Sequence, residues 1–441
     1  MLVNLILRKL TCRNLACLWP VQNETGDVKA KVLKKRIVVF KMNKIDKSSF
    51  KSFIGKKLKS EGMKSIIAAV LCALIGILIG YIILLIISAP NATKAMGTIL
   101  KNFMYFRKPF QKQYYFGSTL VKSVPLILCA LSVLFAFKAG LFNIGVGGQY
   151  CLAIGVSLWC ALFWHLPWWL CIIIAAIASA LWGAIVGCFK AFFNVNEVIA
   201  CIMMNWIALY IVNILMHRES VMNMSLSESY QIKTISPGSI IPSLGLSKLF
   251  HDNEYVTIAI PLTIIVAVVI NIILNKTTFG YELKATGYNK HAAKYAGMKE
   301  KLNIILTLAI AGALAGLAAS LYYLTDIQQW KTSSSVPGMG FNGIAVAFLG
   351  GLNPIGAIFA GYFIEHITLG GSFIDMRYFN PQIADLISSI IIYACAFVLF
   401  IKEILTKMYK RKEKEVNMND SAELDSAVPE VSDSASAGEE K

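Results

Sequence analysis

Residues 275–303 read Asn-Lys-Thr-Thr-Phe-Gly-Tyr-Glu-Leu-Lys-Ala-Thr-Gly-Tyr-Asn-Lys-His-Ala-Ala-Lys-Tyr-Ala-Gly-Met-Lys-Glu-Lys-Leu-Asn, a polar interval between two long apolar runs. Asn289 is placed to cap a short helix from about Lys290 to Ala296, and Gly297 stands where such a helix ends. Ala292, Ala293 and Ala296 give that helix a small-residue face of the kind that admits another backbone. Lys276, Lys284, Lys290, Lys294, Lys299 and Lys301 put the interval on the cytoplasmic side of a membrane by the positive-inside rule. A short ordered helix between two spans is a surface on which something docks. The competing reading is an ordinary solvated basic loop.

The rest of the chain supplies the membrane. Of 441 residues, 56% are hydrophobic and 15% charged, with mean hydropathy +0.62, far from soluble composition. Several runs exceed the roughly 18 apolar residues that cross a bilayer. The expected fold is all-α: a polytopic membrane protein of about ten transmembrane helices with a broken or hairpin segment near 341–370. The apolar runs are continuous rather than alternating, which excludes a β-barrel. The net charge of +17 collects at the N-terminus, in loops and after the last span. That is topology and contact with membrane lipid, with no nucleic-acid groove implied. The ten cysteines lie mostly inside spans without a CxxC pair. They read as small apolar fillers, and no metal or cofactor is expected.

Three parts follow. Residues 1–64 form a basic cytoplasmic segment without a signal-peptide pattern, in which Met42 and Met63 are alternative starts. Residues 65–405 hold the spans and the cytoplasmic loop 276–302. Residues 406–441 are a basic, then acidic and Ser-rich tail, expected to be disordered in the cytoplasm. The first span covers about Ile66 to Ser88, with Gly76 and Gly80 spaced for close packing. Residues 90–118 mix Lys101, Arg107, Lys108 and Lys112 with aromatics, as an interfacial segment on the outer side does. Residues 217–254 are expected as a long external loop. Both chain ends inside require an even number of crossings, and a hairpin with Gly350-Gly351-Leu-Asn-Pro at its tip makes ten.

Several polar residues sit where apolar ones are expected. Gly140, Gly145, Gly147 and Gly148 crowd the mouth of the third span, where an opened backbone is tolerated only against protein or a cavity. Asn143 and Gln149 would point inward there; a tight packing turn is the alternative. Asn196 caps the fifth span and Glu197 complements its positive end. Asn205 lies about two turns into that span and either faces a pathway or glues helices. Phe142-Asn143 and Phe341-Asn342 each open a Gly-interrupted segment, one in each half of the chain. Such paired breaks mark midplane sites in transporters. Glu365 beside His366 is an ionisable residue within a span, functional by default, with a pairing to His366 or a snorkelling end position as the alternative.

The loop Phe279-Gly-Tyr-Glu-Leu-Lys-Ala-Thr-Gly-Tyr-Asn-Lys-His-Ala-Ala-Lys-Tyr-Ala-Gly-Met resembles the coupling loop of ABC importer permeases for simple sugars, nucleosides and branched-chain amino acids. Gly140-Leu-Phe-Asn-Ile-Gly-Val-Gly-Gly-Gln, Asn196-Glu-Val-Ile with Met203-Met-Asn, and Gly340-Phe-Asn-Gly-Ile-Ala-Val-Ala-Phe-Leu-Gly-Gly match further motifs in order, over residues 66–405. Nucleoside permeases of the guanosine or purine type are most similar, ribose- or galactose-type sugar permeases next. Gly147 stands where nucleoside-type members often have Glu, Asn342 where they often have Asp, and Asn196 where His is frequent. This site is more neutral and richer in amides.

The resemblance implies a permease subunit moving nucleosides or related ribosides across the cell membrane, with both termini cytoplasmic. It implies Gly287, Tyr288, Asn289, Ala292, Ala293 and Gly297 as the element coupled to a separate ATPase. The other partners implied are an extracellular substrate-binding protein and a second permease, identical or similar. Asn143, Gln149, Asn205 and Asn342 are then candidate pathway amides, suited to ribose hydroxyls and base edges. Trp206 and Tyr210 are candidate base-stacking rings, with packing, the commoner role of aromatics at helical spacing, as the alternative. The chain has no GxxxxGK[ST] loop, so ATP hydrolysis is assigned elsewhere. It also has no HExxH motif and no placeable catalytic triad, and no catalytic residue is named. A simple-sugar permease is the alternative, and a self-sufficient ion-coupled carrier the third reading.

Overall fold

The computed structural model describes residues 61–408 except 381, 396 and 399. Of the segments expected at 1–64 and 406–441, all but 61–64 and 406–408 lie outside the described residues. Helix α1 (Glu61–Lys101) is interrupted at Ser88, where φ −156° and ψ 88° leave helical space just before Pro90. Proline has no N–H to give, and its ring crowds the carbonyl four residues back. Beyond the kink the helix resumes through the first part of the segment 90–118 expected at the interface. Ala92, Ala95, Met96 and Ile99 are buried there. Their spacing is that of one helical face, which packing rather than hydropathy rewards. A 3₁₀ turn (Asn102–Tyr105) leads into α2 (Pro109–Lys138).

Helix α2 is the hub, buried almost continuously from Val121 to Ala136. After it come α3 (Val146–Leu162), α4 (Trp168–Phe193) and α5 (Glu197–Met216). A two-stranded antiparallel ribbon follows, β1 (Met222–Asn223) with β2 (Glu228–Ser229), pairing Met222 with Ser229. Short helices α6 (Ile232–Ile235) and α7 (Leu246–Leu249) precede α8 (Ala259–Lys276). The expected loop 217–254 is thus a packed cap. Both Asp326 carboxylate oxygens accept from the first amides of α6, Ile232 and Lys233, at 3.1 Å each.

Helices α9 (Thr278–Tyr288) and α10 (Lys290–Tyr295) form the polar interval. Next come α11 (Glu300–Tyr323), α12 (Met339–Leu349), α13 (Pro354–Gly371) and α14 (Ile383–Cys395). The expected hairpin forms between α12 and α13: Gly351 and Leu352 take positive φ at the tip, and Asn353 caps α13 through the amides of Ile355 and Gly356. Six helices among the described residues are long and apolar enough to cross a membrane. Shorter apolar helices lie at α3, α12 and within α14, and α13 stands between the last two.

Glycines set the closest contacts. A Cβ on Gly183 of α4 would strike the Leu308 carbonyl of α11, and one on Gly312 the Ser179 carbonyl. Gly76 and Gly80 of α1 face Ile391 and Ile387 of α14. Without a hydrophobic drive between helices in lipid, such backbone approach supplies the packing. The pairing of Glu365 with His366 does not form. His366 instead bonds the Leu100 carbonyl through Nε2 (3.1 Å) and Asn102 through Nδ1 (3.3 Å).

Candidate functional site

Two features lie along α2, one at its Lys138 end and one deeper. The Asn289 side chain accepts from the amides of His291 (3.0 Å) and Ala292 (3.1 Å), fixing the start of α10. Gly297 ends the turn with φ +79°. The three alanines do not share a face. Ala293 is buried at 3% exposure against the chain's own body, while Ala292 and Ala296 are open. The correction follows from the turn after α10: the Met298 amide returns to the Ala293 carbonyl at 3.0 Å and folds the chain over that residue. The open surface is aromatic. Tyr288 is 90% and Tyr295 95% exposed, an arrangement with no packing purpose inside this chain. Tyr295 was missed in the sequence; an aromatic on a six-residue Lys/Ala helix was the available signal.

Gly287 carries the connection inward. A Cβ there would lie 2.5 Å from the Ala139 carbonyl carbon and 2.7 Å from the Gly140 nitrogen. The polar interval therefore rests backbone to backbone on the irregular stretch that opens α3. Asn303 at the start of α11 donates to Thr286 Oγ1 at 3.2 Å and ties down the other side of α9.

About 9 Å along α2 from Lys138, at Ser132, the broken stretch becomes a buried polar network. Asn143 Nδ2 donates to Gln149 Oε1 (3.0 Å) and Ser132 Oγ (3.4 Å), and Gln149 Nε2 donates back to Asn143 Oδ1 (3.4 Å). Ser132 in turn donates to the Ala311 carbonyl (2.7 Å) and Ser179 to the Gln149 carbonyl (2.9 Å). Asn205 accepts from the Gly148 amide (2.8 Å) and donates to the Ile144 carbonyl (3.1 Å). Asn143, Gln149 and Asn205 are 0%, 1% and 3% exposed. In this conformation they hold five helices together and face no opening.

The other candidates are open. Trp206 is 43% and Tyr210 58% exposed, stacked on one face of α5 with centroids 6.4 Å apart. Asn342 is exposed on the first turn of α12. The two broken segments meet: a Cβ on Gly340 would be 2.5 Å from the Gly147 nitrogen. A side chain at Gly147 would meet Val336 (3.0 Å) and Phe341 (3.5 Å), so the space a longer residue would need is filled.

The family model for the branched-chain amino acid transport system permease component matches residues 115–396. The chain is 36% identical over 313 residues to the guanosine ABC transporter permease protein NupP of Bacillus subtilis, covering 68% of this chain and 86% of that one. It is 36% identical over 305 residues to the nucleoside ABC transporter permease protein NupB of Lactococcus lactis, covering 68% and 84%. It is 28% identical over 297 residues to the glucose ABC transporter permease protein TsgB13 of Haloferax volcanii, covering 65% and 77%. No solved structure matches. With six helices among the described residues long and apolar enough to cross a membrane and this match, the chain belongs to the permease-component family of ABC transporters, as a multi-pass membrane subunit whose ATPase is a separate chain.

Proposed function

We propose that this chain imports nucleosides through a passage along the open face of α5 and the first turn of α12, closed by a second permease. An ATPase docks on Tyr288, Ala292 and Tyr295, on the cytoplasmic side together with both termini, and an extracellular binding protein delivers substrate at the other end. The observation that carries this reading is the contact of Gly287 with Ala139 and Gly140. A displacement of α9–α10 is passed directly to the backbone leading to Asn143 and α3, with no flexible side chain between. The guanosine and nucleoside relatives support the substrate class. Trp206 and Tyr210 supply stacking surface for a base, and Asn342 donates and accepts as ribose hydroxyls require. Asn143, Gln149 and Asn205 act behind that surface, exposing their amides only if the junction opens. The glucose relative is the one observation favouring a sugar.

The deciding experiment reconstitutes the chain with its ATPase and companion permease in liposomes and follows labelled guanosine and glucose. ATP-dependent guanosine accumulation that glucose does not compete is the expected result. Accumulation on a proton or sodium gradient without the ATPase would overturn the coupling. ATP-driven glucose uptake that guanosine does not inhibit would establish the sugar reading instead.

A further inference from the structure

Helix α2 runs 30 residues, about 45 Å, from the docking element at Lys138 to the opposite end of the bundle at Pro109. That far end is basic in a way the transport reading leaves unused. Lys94, Lys101, Arg107, Lys108 and Lys112 gather there, and none makes an ion pair with a described residue. Met104, Tyr105 and Phe110 are exposed among them, at 61%, 46% and 41%. Cations interleaved with open aromatic and apolar side chains are what a segment at the headgroup level of a bilayer presents.

A cavity of about 190 Å³ opens at this place between α1, beyond its kink, and the α13–α14 connection. Asn91, Lys94, Thr98, Tyr105, Asp375 and Tyr378 supply its polar lining. The volume is below the roughly 300 Å³ at which small-molecule pockets begin, so it suits a phosphodiester better than a nucleoside. Its carboxylate is already taken: Arg377 Nε and Nη2 donate to the two Asp375 oxygens at 3.0 and 2.7 Å. Lys94 acts on that carboxylate only through its field and makes no ion pair with a described residue. Phe373 in the cavity wall packs on Phe106 with centroids 4.9 Å apart, which sets Arg107 and Lys108 beside the rim. On the membrane side of the kink, Ile82, Ile86 and Ile87 are exposed and extend an apolar surface away from the cavity.

We propose that this cavity and its basic rim seat the phosphate headgroup of an anionic phospholipid from the leaflet opposite the docking element, with the acyl chains on α1. The apolar run from Ile82 to Ile87 selects a lipid over a free anion. The half-exposed aromatics between the cations select a bilayer over an acidic protein.

The test places the full-length chain in phosphatidylcholine nanodiscs doped with phosphatidylglycerol and counts retained lipids by native mass spectrometry. Wild type is expected to prefer phosphatidylglycerol, Lys94→Gln to lower that preference about fivefold, and Lys94→Arg to keep it. Adding Arg107→Gln and Lys108→Gln lowers it further, while Lys276→Gln, at the docking end, leaves it unchanged. Equal retention of the two lipids by wild type would overturn the proposal, as would unchanged preference in the triple variant. Displacement of the lipid by free glycerol 3-phosphate would assign the cavity to a soluble anion. Unchanged lipid preference with lost docking of an acidic binding protein would assign the rim to that protein.

Discussion

The Asn205 side chain bonds both groups that the break before α3 leaves open, the Gly148 N–H and the Ile144 carbonyl. An unpaired backbone group at this depth has no water to turn to. Replacing Asn205 with Leu strands both, at a cost of about 1–3 kcal/mol, read as a lower thermal unfolding midpoint in detergent with guanosine uptake falling in parallel. Trp206→Ala, one residue on but open to the outside, should leave the midpoint in place and raise the KM for uptake. Equal effects of the two variants on unfolding would mean that the two neighbours do not divide the roles as described. The sequence placed Asn205 as a polar residue deep in a span but left pathway and glue as alternatives. In this conformation it joins helices, through a contact with Gly148 57 residues away.

At the scale of elements, α10 was legible because a cap is a local device. Asn289 and Gly297 act on amides and dihedrals within a few residues of themselves, so their pattern survives without the fold. The orientation of α10 was not legible. Ala292 and Ala293 are chemically identical, and only packing against the rest of the chain buries one and leaves the other open. The same element holds the sharpest prediction about coupling. Gly287→Leu forces the α9 backbone away from Ala139 and Gly140, since the added Cβ alone would sit 2.5 Å from a carbonyl carbon. ATP hydrolysis by the assembled transporter should continue while uptake falls at least about tenfold, a loss of roughly 1.4 kcal/mol or more in transition-state terms. Joint loss of hydrolysis and uptake would mean that the contact secures docking instead of transmitting it.

Across the whole molecule, the two ends have different chemistry: exposed tyrosines on a lysine-rich turn at one, a cation-rich aromatic rim at the other. The rim also yields a prediction about pH. Arg377 holds the Asp375 carboxyl down to about 2, below the roughly 3.9 of an unfolded chain. A depressed carboxyl stabilises above its unfolded value and loses that contribution as pH falls toward its folded one. Exchange protection of the Arg377 amide, which donates to Asp375 at 3.1 Å, should therefore stay constant from pH 8 to 5 and decline only below about pH 4. Decline near pH 6 would point to another titrating group. Taken alone, the sequence determined the apolar segments, the breaks within them and the capped turn between α8 and α11. These follow from hydropathy and from hydrogen bonds made within a few residues. Only the tertiary structure decided which amides are spent on one another and which stay free, and that the turn rests on Gly140. Asn205 reaches Gly148 across 57 residues and Gly287 meets Gly140 from the other half of the chain, and no local pattern encodes either meeting.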